Sequence, residues 1–300
     1  MKKIKILIIG GTGFLGFHLS KFFIKKKYKV FSLSKNNPKS LRYIKNVKYF
    51  YGDISKYHSI KFLKKYNFEY IINCSGYVDH KNKIKTFKIH SNGCKNLLKI
   101  FTNEKTKSFL HIGSSVEYGK VSSPHKEFKK CNAADIYGRA KTSATTQILK
   151  SEIPYIIVRA YQVYGPYQDN NRFLPFVINS CLNDESFPCT TGTQLRDFLY
   201  VDDFVKAIYL LIKDKKCTGE IFNLGYGKST KLKSLIKKIN SHIKKGSPKF
   251  GSITMRSAEQ KNVFPSIKKI KKFVSWKPKI NINKGLKKTI NFYEMNTQKT

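Results

Sequence analysis

Carboxylates are scarce in this chain: Asp and Glu together number 18 against 59 Lys and Arg, a net charge of +41 over 300 residues. An excess of that size raises nucleic acid or an anionic membrane surface as partners. Arginine is scarcer still. Only Arg42, Arg139, Arg159, Arg172, Arg196 and Arg256 carry the planar fork suited to phosphates and base edges, and the lysines are spread along every segment instead of forming one basic block. Spacing shows no zinc finger, RNP motif or basic-region heptad. The charge therefore reads first as a solvated lysine-rich surface, with a basic nucleic-acid-binding module as the less favoured alternative. Anionic ligands would still be drawn in.

Long apolar runs are also missing. Lys interrupts nearly every hydrophobic stretch before it reaches the roughly 20 residues of a membrane-spanning helix, so no span is expected. The cysteines Cys74, Cys94, Cys131, Cys181, Cys189 and Cys217 form no C-x-x-C, and no His cluster stands at ligand spacing. Neither a structural metal nor a disulfide scaffold is expected, and reduced thiols fit a cytoplasmic protein. Repeats and low-complexity linkers are absent. What the chain does have is apolar mass: 40% hydrophobic residues, with 22 Phe and 18 Tyr, exclude a disordered chain and suffice for one large domain or two joined ones.

The basic start and the apolar run Ile4–Ile9 could pass for a signal peptide, but the run is too short, and Gly10-Gly-Thr12-Gly13-Phe14-Leu15-Gly16 stands where a cleavage region would be. The segment reads better as strand, turn and helix. β-Branched residues through Ile9 give a buried strand, and Leu15, Leu19, Phe22 and Phe23 recur at helical spacing. Gly10, Gly13 and Gly16 then serve a tight turn, close approach to a pyrophosphate and tight helix packing, with Thr12, Phe14 and Leu15 between them. This is a dinucleotide-binding turn.

Strands at Lys29–Leu33, Val47–Tyr51, Tyr70–Asn73, Ser108–His111 and Tyr155–Arg159 alternate with helices near 56–65, 86–102 and 135–150. Such alternation predicts an α/β fold, a Rossmann-like doubly wound parallel sheet. Helices at 173–183, 230–244 and 283–292 suggest a smaller C-terminal lobe.

The end of the second strand bears on the cofactor. An acid there would hold the ribose hydroxyls of NAD; Ser34 and Lys35 stand instead and suit a 2′-phosphate, so NADP is preferred, with NAD possible. Asp53, beside Ile54, can reach the adenine edge or cap the next helix. Tyr137 and Lys141 lie one helical turn apart, and a phenol of ordinary pKa near ~10 needs such a cation to work at neutral pH. Ser114, at the carboxyl edge of the sheet, can hydrogen-bond a substrate carbonyl or serve as a helix cap.

Together these residues resemble the extended short-chain dehydrogenase/reductases that act on nucleotide sugars. The likeness runs through Gly10-x-x-Gly13-x-x-Gly16, Ser114-Ser115 to Tyr118-Gly119, Tyr137-x-x-x-Lys141, Arg159, Val163-Tyr164-Gly165-Pro166, Arg196-Asp197-Phe198, Val201-Asp202-Asp203 and Phe222-Asn-Leu-Gly225. The run from Asn171 to Asp197 and Trp276-Lys-Pro278 look most like the bacterial 4-ketoreductases of the CDP-abequose synthase type. The resemblance implies Ser114, Tyr137 and Lys141 as the catalytic set, with Lys141 also on the nicotinamide ribose. It further implies Cys74, Ser75 and Gly76 at the cofactor, Arg196 on the diphosphate, and Ser115, Gln162, Arg172 and Phe173 at the sugar nucleotide. Asp202 and Asp203 are expected to cap the helix that follows them.

In domain terms, 1–165 is an NADP-binding Rossmann domain that also receives 196–227, while 166–195 and 228–300 form a nucleotide-sugar-binding lobe. A homodimer is expected. His90 and Gln162 replace asparagines usual in the family, and His90 reads first as a core histidine. Dehydratases of the family follow the catalytic hydroxyl with an Asp-Glu pair, and C3/C5-epimerising reductases carry a cysteine two residues on. Ser115-Val116 stands here, and valine transfers no proton. The expected activity is therefore NADPH-dependent reduction of the C4 carbonyl of a nucleoside-diphosphate 4-keto-6-deoxy sugar, in deoxysugar biosynthesis for surface polysaccharide; the alternative is a 4-epimerase with tightly bound NAD.

Overall fold

The computed structural model describes residues 3–77, 82–102, 106–255 and 259–297. Strand and helix alternate through β1 (Lys5–Ile9), α1 (Phe14–Lys25), β2 (Lys29–Ser34), β3 (Lys48–Tyr51), α2 (Tyr57–Ile60), β4 (Tyr70–Asn73), α3 (Lys83–Phe87), α4 (Gly93–Phe101), β5 (Ser108–Ser114), α5 (Ile136–Leu149) and β6 (Tyr155–Ala160). There follow β7 (Gln162–Tyr164), α6 (Phe173–Leu182), β8 (Ser186–Cys189), β9 (Leu195–Tyr200), α7 (Val201–Lys213) and β10 (Glu220–Leu224). The chain continues through β11 (Ser229–Lys231), α8 (Leu232–Ile243), β12 (Ser247–Phe250), β13 (Asn262–Val263), α9 (Lys268–Val274) and α10 (Ile282–Thr297).

Among the described residues, seven parallel strands form the central sheet in the order β10-β6-β5-β4-β1-β2-β3. The winding reverses between β1 and β4, the switch point at which such sheets open a crevice. Period-two alternation sends the two halves of β1 into separate cores. Ile6 and Ile8 pack with Leu19, Phe23 and Phe204, whereas Leu7 and Ile9 pack with Leu63, Leu97 and Phe101. Burial on both faces explains the unbroken apolar run, and each such side chain contributes roughly 1.5–3 kcal/mol.

Two expected helices differ in form. The stretch near 56–65 is the single turn α2, which buries Ile60, followed by a 3-10 turn, Lys61–Lys65, which buries Leu63. The helix near 86–102 starts earlier, as α3, and widens into a π turn at Lys88–Asn92 before α4. His90 lies in that turn. Of the segment 196–227, β10 pairs beside β6 in the large sheet, while β9 pairs with β7, β11 and β13 in a smaller one.

Asp202 and Asp203 do not cap α7. They lie in its first turn, behind the N-cap residue Tyr200, where carboxylates favour the helix dipole. The Asp203 carboxylate accepts the Lys279 and Ile280 N–H groups at 2.9 and 2.8 Å, and its carbonyl accepts the Trp276 indole at 3.2 Å. The Trp276-Lys-Pro278 segment is thereby pinned to α7.

The turn between β1 and α1 leaves no room for a side chain at Gly16. A Cβ on Gly16 would lie 2.3 Å from the Gly10 carbonyl oxygen and 2.4 Å from Gly11 Cα, both backbone atoms that cannot rotate away. Gly16→Ala is therefore expected to destabilise the protein by about 1–3 kcal/mol and to push α1 off the turn. Dinucleotide binding should fall at least roughly tenfold. Thermal melting with a fluorescence titration of NADPH checks this, and a variant matching wild type in both would show that the turn has slack.

Candidate active site

A cleft of about 960 Å³ opens at the carboxyl ends of the central strands and continues to Arg172, Phe173 and Phe198. Its floor is the glycine turn. Gly10 has φ +78°, and a Cβ there would stand 2.8 Å from Ser75 Cα. The left-handed φ and the close approach of the chain leaving β4 both require glycine there. Gly13 is the N-cap of α1, which has no side-chain cap and no acid in its first turn, so its N–H groups and positive dipole end suit a pyrophosphate. The residues present fit a dinucleotide.

At the end of β2 the Thr12 N–H donates to Ser34 Oγ at 3.2 Å, joining the turn to the second strand. Lys35 Nζ is 3.4 Å from Asp53 Oδ2. Asp53 Oδ1 accepts the Ser55 N–H at 3.0 Å and the Ser55 hydroxyl at 2.7 Å. Burial works to raise this carboxyl, but the Ser55 hydrogen bonds and Lys35 hold it below its ordinary value. Asp53 is thus a turn residue and a counter-ion to Lys35 as well as part of the cleft wall.

Ser114 ends β5, and Tyr137 and Lys141 project from one face of α5, whose N-cap Asp135 accepts the Gly138 N–H at 2.6 Å. All three line the cleft. Burial pushes the Tyr137 phenol up, while a hydrogen bond from Ser114 and the charge of Arg172 oppose it. Lys141 Nζ donates to the Ile112 carbonyl at 2.7 Å; burial lowers its pKa, and Glu117 opposes the fall. Ser114 also serves as a cap, its Oγ accepting the Val116 N–H at 3.4 Å at the start of the 3-10 turn Ser115–Tyr118. The cap reading of that serine holds, and the same residue lines the cleft.

Residues 6–225 match the family described as the NAD dependent epimerase/dehydratase family. The chain belongs to it. A dTDP-D-glucose 4,6-dehydratase of Dictyostelium discoideum is 29% identical over 254 residues, covering 74% of this chain and 58% of that protein. A CDP-abequose synthase of Salmonella muenchen is 26% identical over 97% of this chain and 98% of its own. The crystal structure of UDP-glucose 4-epimerase with UDP-glucose from Thermotoga maritima superposes with a TM-score of 0.91 at 22% identity, over 98% of this chain and all of that one. The resemblance to the extended short-chain dehydrogenase/reductases and the doubly wound fold are both borne out.

Within this family member the cleft gathers the residues assigned to the cofactor: the glycine turn, Ser34, Lys35, Asp53, Ile54 and Cys74-Ser75-Gly76. Ser115, Gln162, Arg172 and Phe173 line it as well. Arg196 does not. Its guanidinium pairs with Glu259 at 2.5 Å and donates to the Leu195 and Lys261 carbonyls. Sequence order could not reveal that counter-ion, which the fold brings from the segment before β13.

His90 is buried, as a core histidine would be, yet it also lines the cleft and lies edge-on to the Tyr137 ring at 5.1 Å. Its Nε2 is 3.2 Å from the Tyr77 N–H. Sequence reading missed Lys85, whose Nζ lies 4.6 Å over the Tyr77 ring in the cleft wall. It also missed Asp169, which holds Lys39 at 2.9 Å and Arg42 at 3.1 Å. Nothing in a lysine-rich loop distinguishes those charges before the chain folds.

Proposed function

We propose that this protein reduces the C4 carbonyl of a nucleoside-diphosphate 4-keto-6-deoxy sugar with NADPH. Membership of the family supports the coarser statement, an NAD(P)-dependent enzyme of nucleotide sugars. The observation that carries the finer one is the convergence of Ser114, Tyr137 and Lys141 in one cleft with Val116, not an acid, lining the wall beside them. The nearby Glu117 is no substitute, because it is fully buried and engaged by Ser114, Thr145 and Arg159. Elimination of water needs an acid and a base across the sugar carbons, and that turn presents neither to the cleft.

A bound nicotinamide supplies the hydride for the carbonyl carbon. Ser114 then holds the carbonyl oxygen by a hydrogen bond that strengthens as negative charge develops on it. Tyr137, already hydrogen-bonded to Ser114, delivers the proton that completes the alcohol. Lys141 favours the phenolate left behind and holds the nicotinamide ribose. Arg172 offers the cleft a guanidinium for the substrate's diphosphate.

NADPH oxidation across a panel of CDP-, dTDP-, GDP- and UDP-4-keto sugars tests the reading; no oxidation with any of them would remove it. A 4-epimerase is the second reading, favoured by the close superposition on UDP-glucose 4-epimerase. It would release tightly held NAD on denaturation and consume no NADPH. Tyr137→Phe is expected to leave cofactor affinity nearly unchanged and to cut turnover by roughly 10² or more, since only the proton donor is lost.

Cofactor choice is expected to be graded. Ser34 and Lys35 line the cleft where a 2′-phosphate would lie, but Lys35 already has Asp53 as a partner. An exposed charge pair is worth about 0–1 kcal/mol and an enclosed charged hydrogen bond about 1.5–3 kcal/mol, so NADPH should be preferred by roughly tenfold to a hundredfold. Replacing Ser34 by Asp should reverse the order. An unchanged ratio of affinities would show that Lys35 is one more solvated lysine.

A further inference from the structure

One carboxylate lies beneath the site without facing it. Glu117 Oε1 accepts the Ser114 N–H at 2.7 Å, Oε2 accepts the Thr145 hydroxyl at 2.8 Å, and Arg159 Nε stands 3.4 Å from Oε2. Those partners come from three elements: the end of β5, the middle of α5 and β6. Thr145 follows Lys141 by one helical turn, so a hold on one steadies the face that carries the other. A Cβ on Gly113 would stand 2.4 Å from Glu117 Oε1, so glycine leaves the opening through which the carboxylate reaches Ser114.

Arg159 is fixed in its turn. Its guanidinium lies 4.6 Å over the Tyr118 ring, its Nη1 donates to the Glu127 carbonyl at 3.4 Å, and the Tyr118 hydroxyl donates to Asn223 on β10 at 2.8 Å. Lys141 Nζ and Glu117 Oε1 meet the end of β5 two residues apart, on the Ile112 carbonyl and the Ser114 N–H, and Lys141 and Arg159 are both buried. Around Lys141 stand the Tyr137 phenol, one helical turn before it and raised by burial, and three further titratable groups, Cys74, Cys94 and His111. Burial keeps all three neutral, both thiols pushed up to about 12 and the imidazole held well below its ordinary range. Around Glu117, burial likewise raises Tyr118, to about 12, and Cys131. Among these described groups Glu117 is the one that brings negative charge.

We propose that Glu117 is a positioning residue for Ser114, Tyr137 and Lys141: it ties β5, α5 and β6 into one register and supplies the buried negative charge opposite Lys141. The inference rests on reading Lys141 as a cofactor-holding group, not on the choice of sugar. A buried pair that served stability alone would affect melting but not the protonation of Lys141.

NADPH binding, followed by nucleotide fluorescence from about pH 7 to about pH 10.5, needs no sugar substrate, so its failure is distinct from failure of the keto-sugar panel. Wild-type affinity should decline as Lys141 loses its proton, and Lys141→Met should bind weakly without that transition. Removing a neighbouring anion makes the ammonium less favourable. Glu117→Gln should therefore move the transition to lower pH by about one unit, a tenfold change in the protonation constant. Thr145→Val keeps the charges and cuts one tie; its affinity at neutral pH should fall roughly threefold with the transition in place. An unmoved transition in Glu117→Gln would overturn the proposal. So would wild-type affinity in Thr145→Val, which decides the matter alone if the glutamine variant fails to fold.

Discussion

Two backbones come within touching distance at the switch point of the sheet, and the rest of the site is arranged around that contact. Gly10 meets the chain leaving β4 at Ser75, and Gly16 meets Gly10 across the turn, at spacings no side chain could share. The start of α1 is thereby held against the ends of β1 and β4, its free N–H groups open to the cleft. β5 and β6 continue the same edge, so Ser114 emerges beside the turn. α5 packs against β5 and the 3-10 turn that follows it, and so presents Tyr137 and Lys141 to the same space.

The charge of the chain divides into two populations with different physics. Most lysines are exposed, where ion pairs contribute about 0–1 kcal/mol and salt screens them. The pair of Lys35 with Asp53 belongs to this class on the lysine side, with 65% of that side chain exposed. Lys141 and Arg159 are of another kind. Both are buried, and removing the partner of a buried charge costs about 3–5 kcal/mol because the remaining charge is left uncompensated. A protein rich in cations thus spends one of its few carboxylates, Glu117, on the buried Arg159 in the interior.

That carboxylate also bears on the division of reactions within the family. A glutamate three residues after Ser114 in sequence could face either the cleft or the core. Here the 3-10 turn Ser115–Tyr118 points Val116 to the cleft and Glu117 to the core. One position along the turn separates a proton-transferring group from a structural one. His90 illustrates the converse: a buried imidazole, bland in sequence, is carried by the π turn to the edge of the Tyr137 ring.

Local pattern determined much of this protein. The run Ile4–Ile9, the glycine spacing and the helical recurrence of Leu15, Leu19 and Phe23 dictated strand, turn and helix, because side-chain periodicity and backbone freedom act over a few residues. The same held for Tyr137 and Lys141, which one helical turn places on one face. Tertiary structure decided what depends on partners distant in the chain. Arg196 found Glu259, Lys35 found Asp53, and Asp203 took the Trp276 segment instead of capping its own helix. The role of Glu117 likewise waited on β6 and α5, since a charged side chain reads as solvent-facing until packing buries it, and its partner is chosen by three-dimensional proximity, not by spacing along the chain.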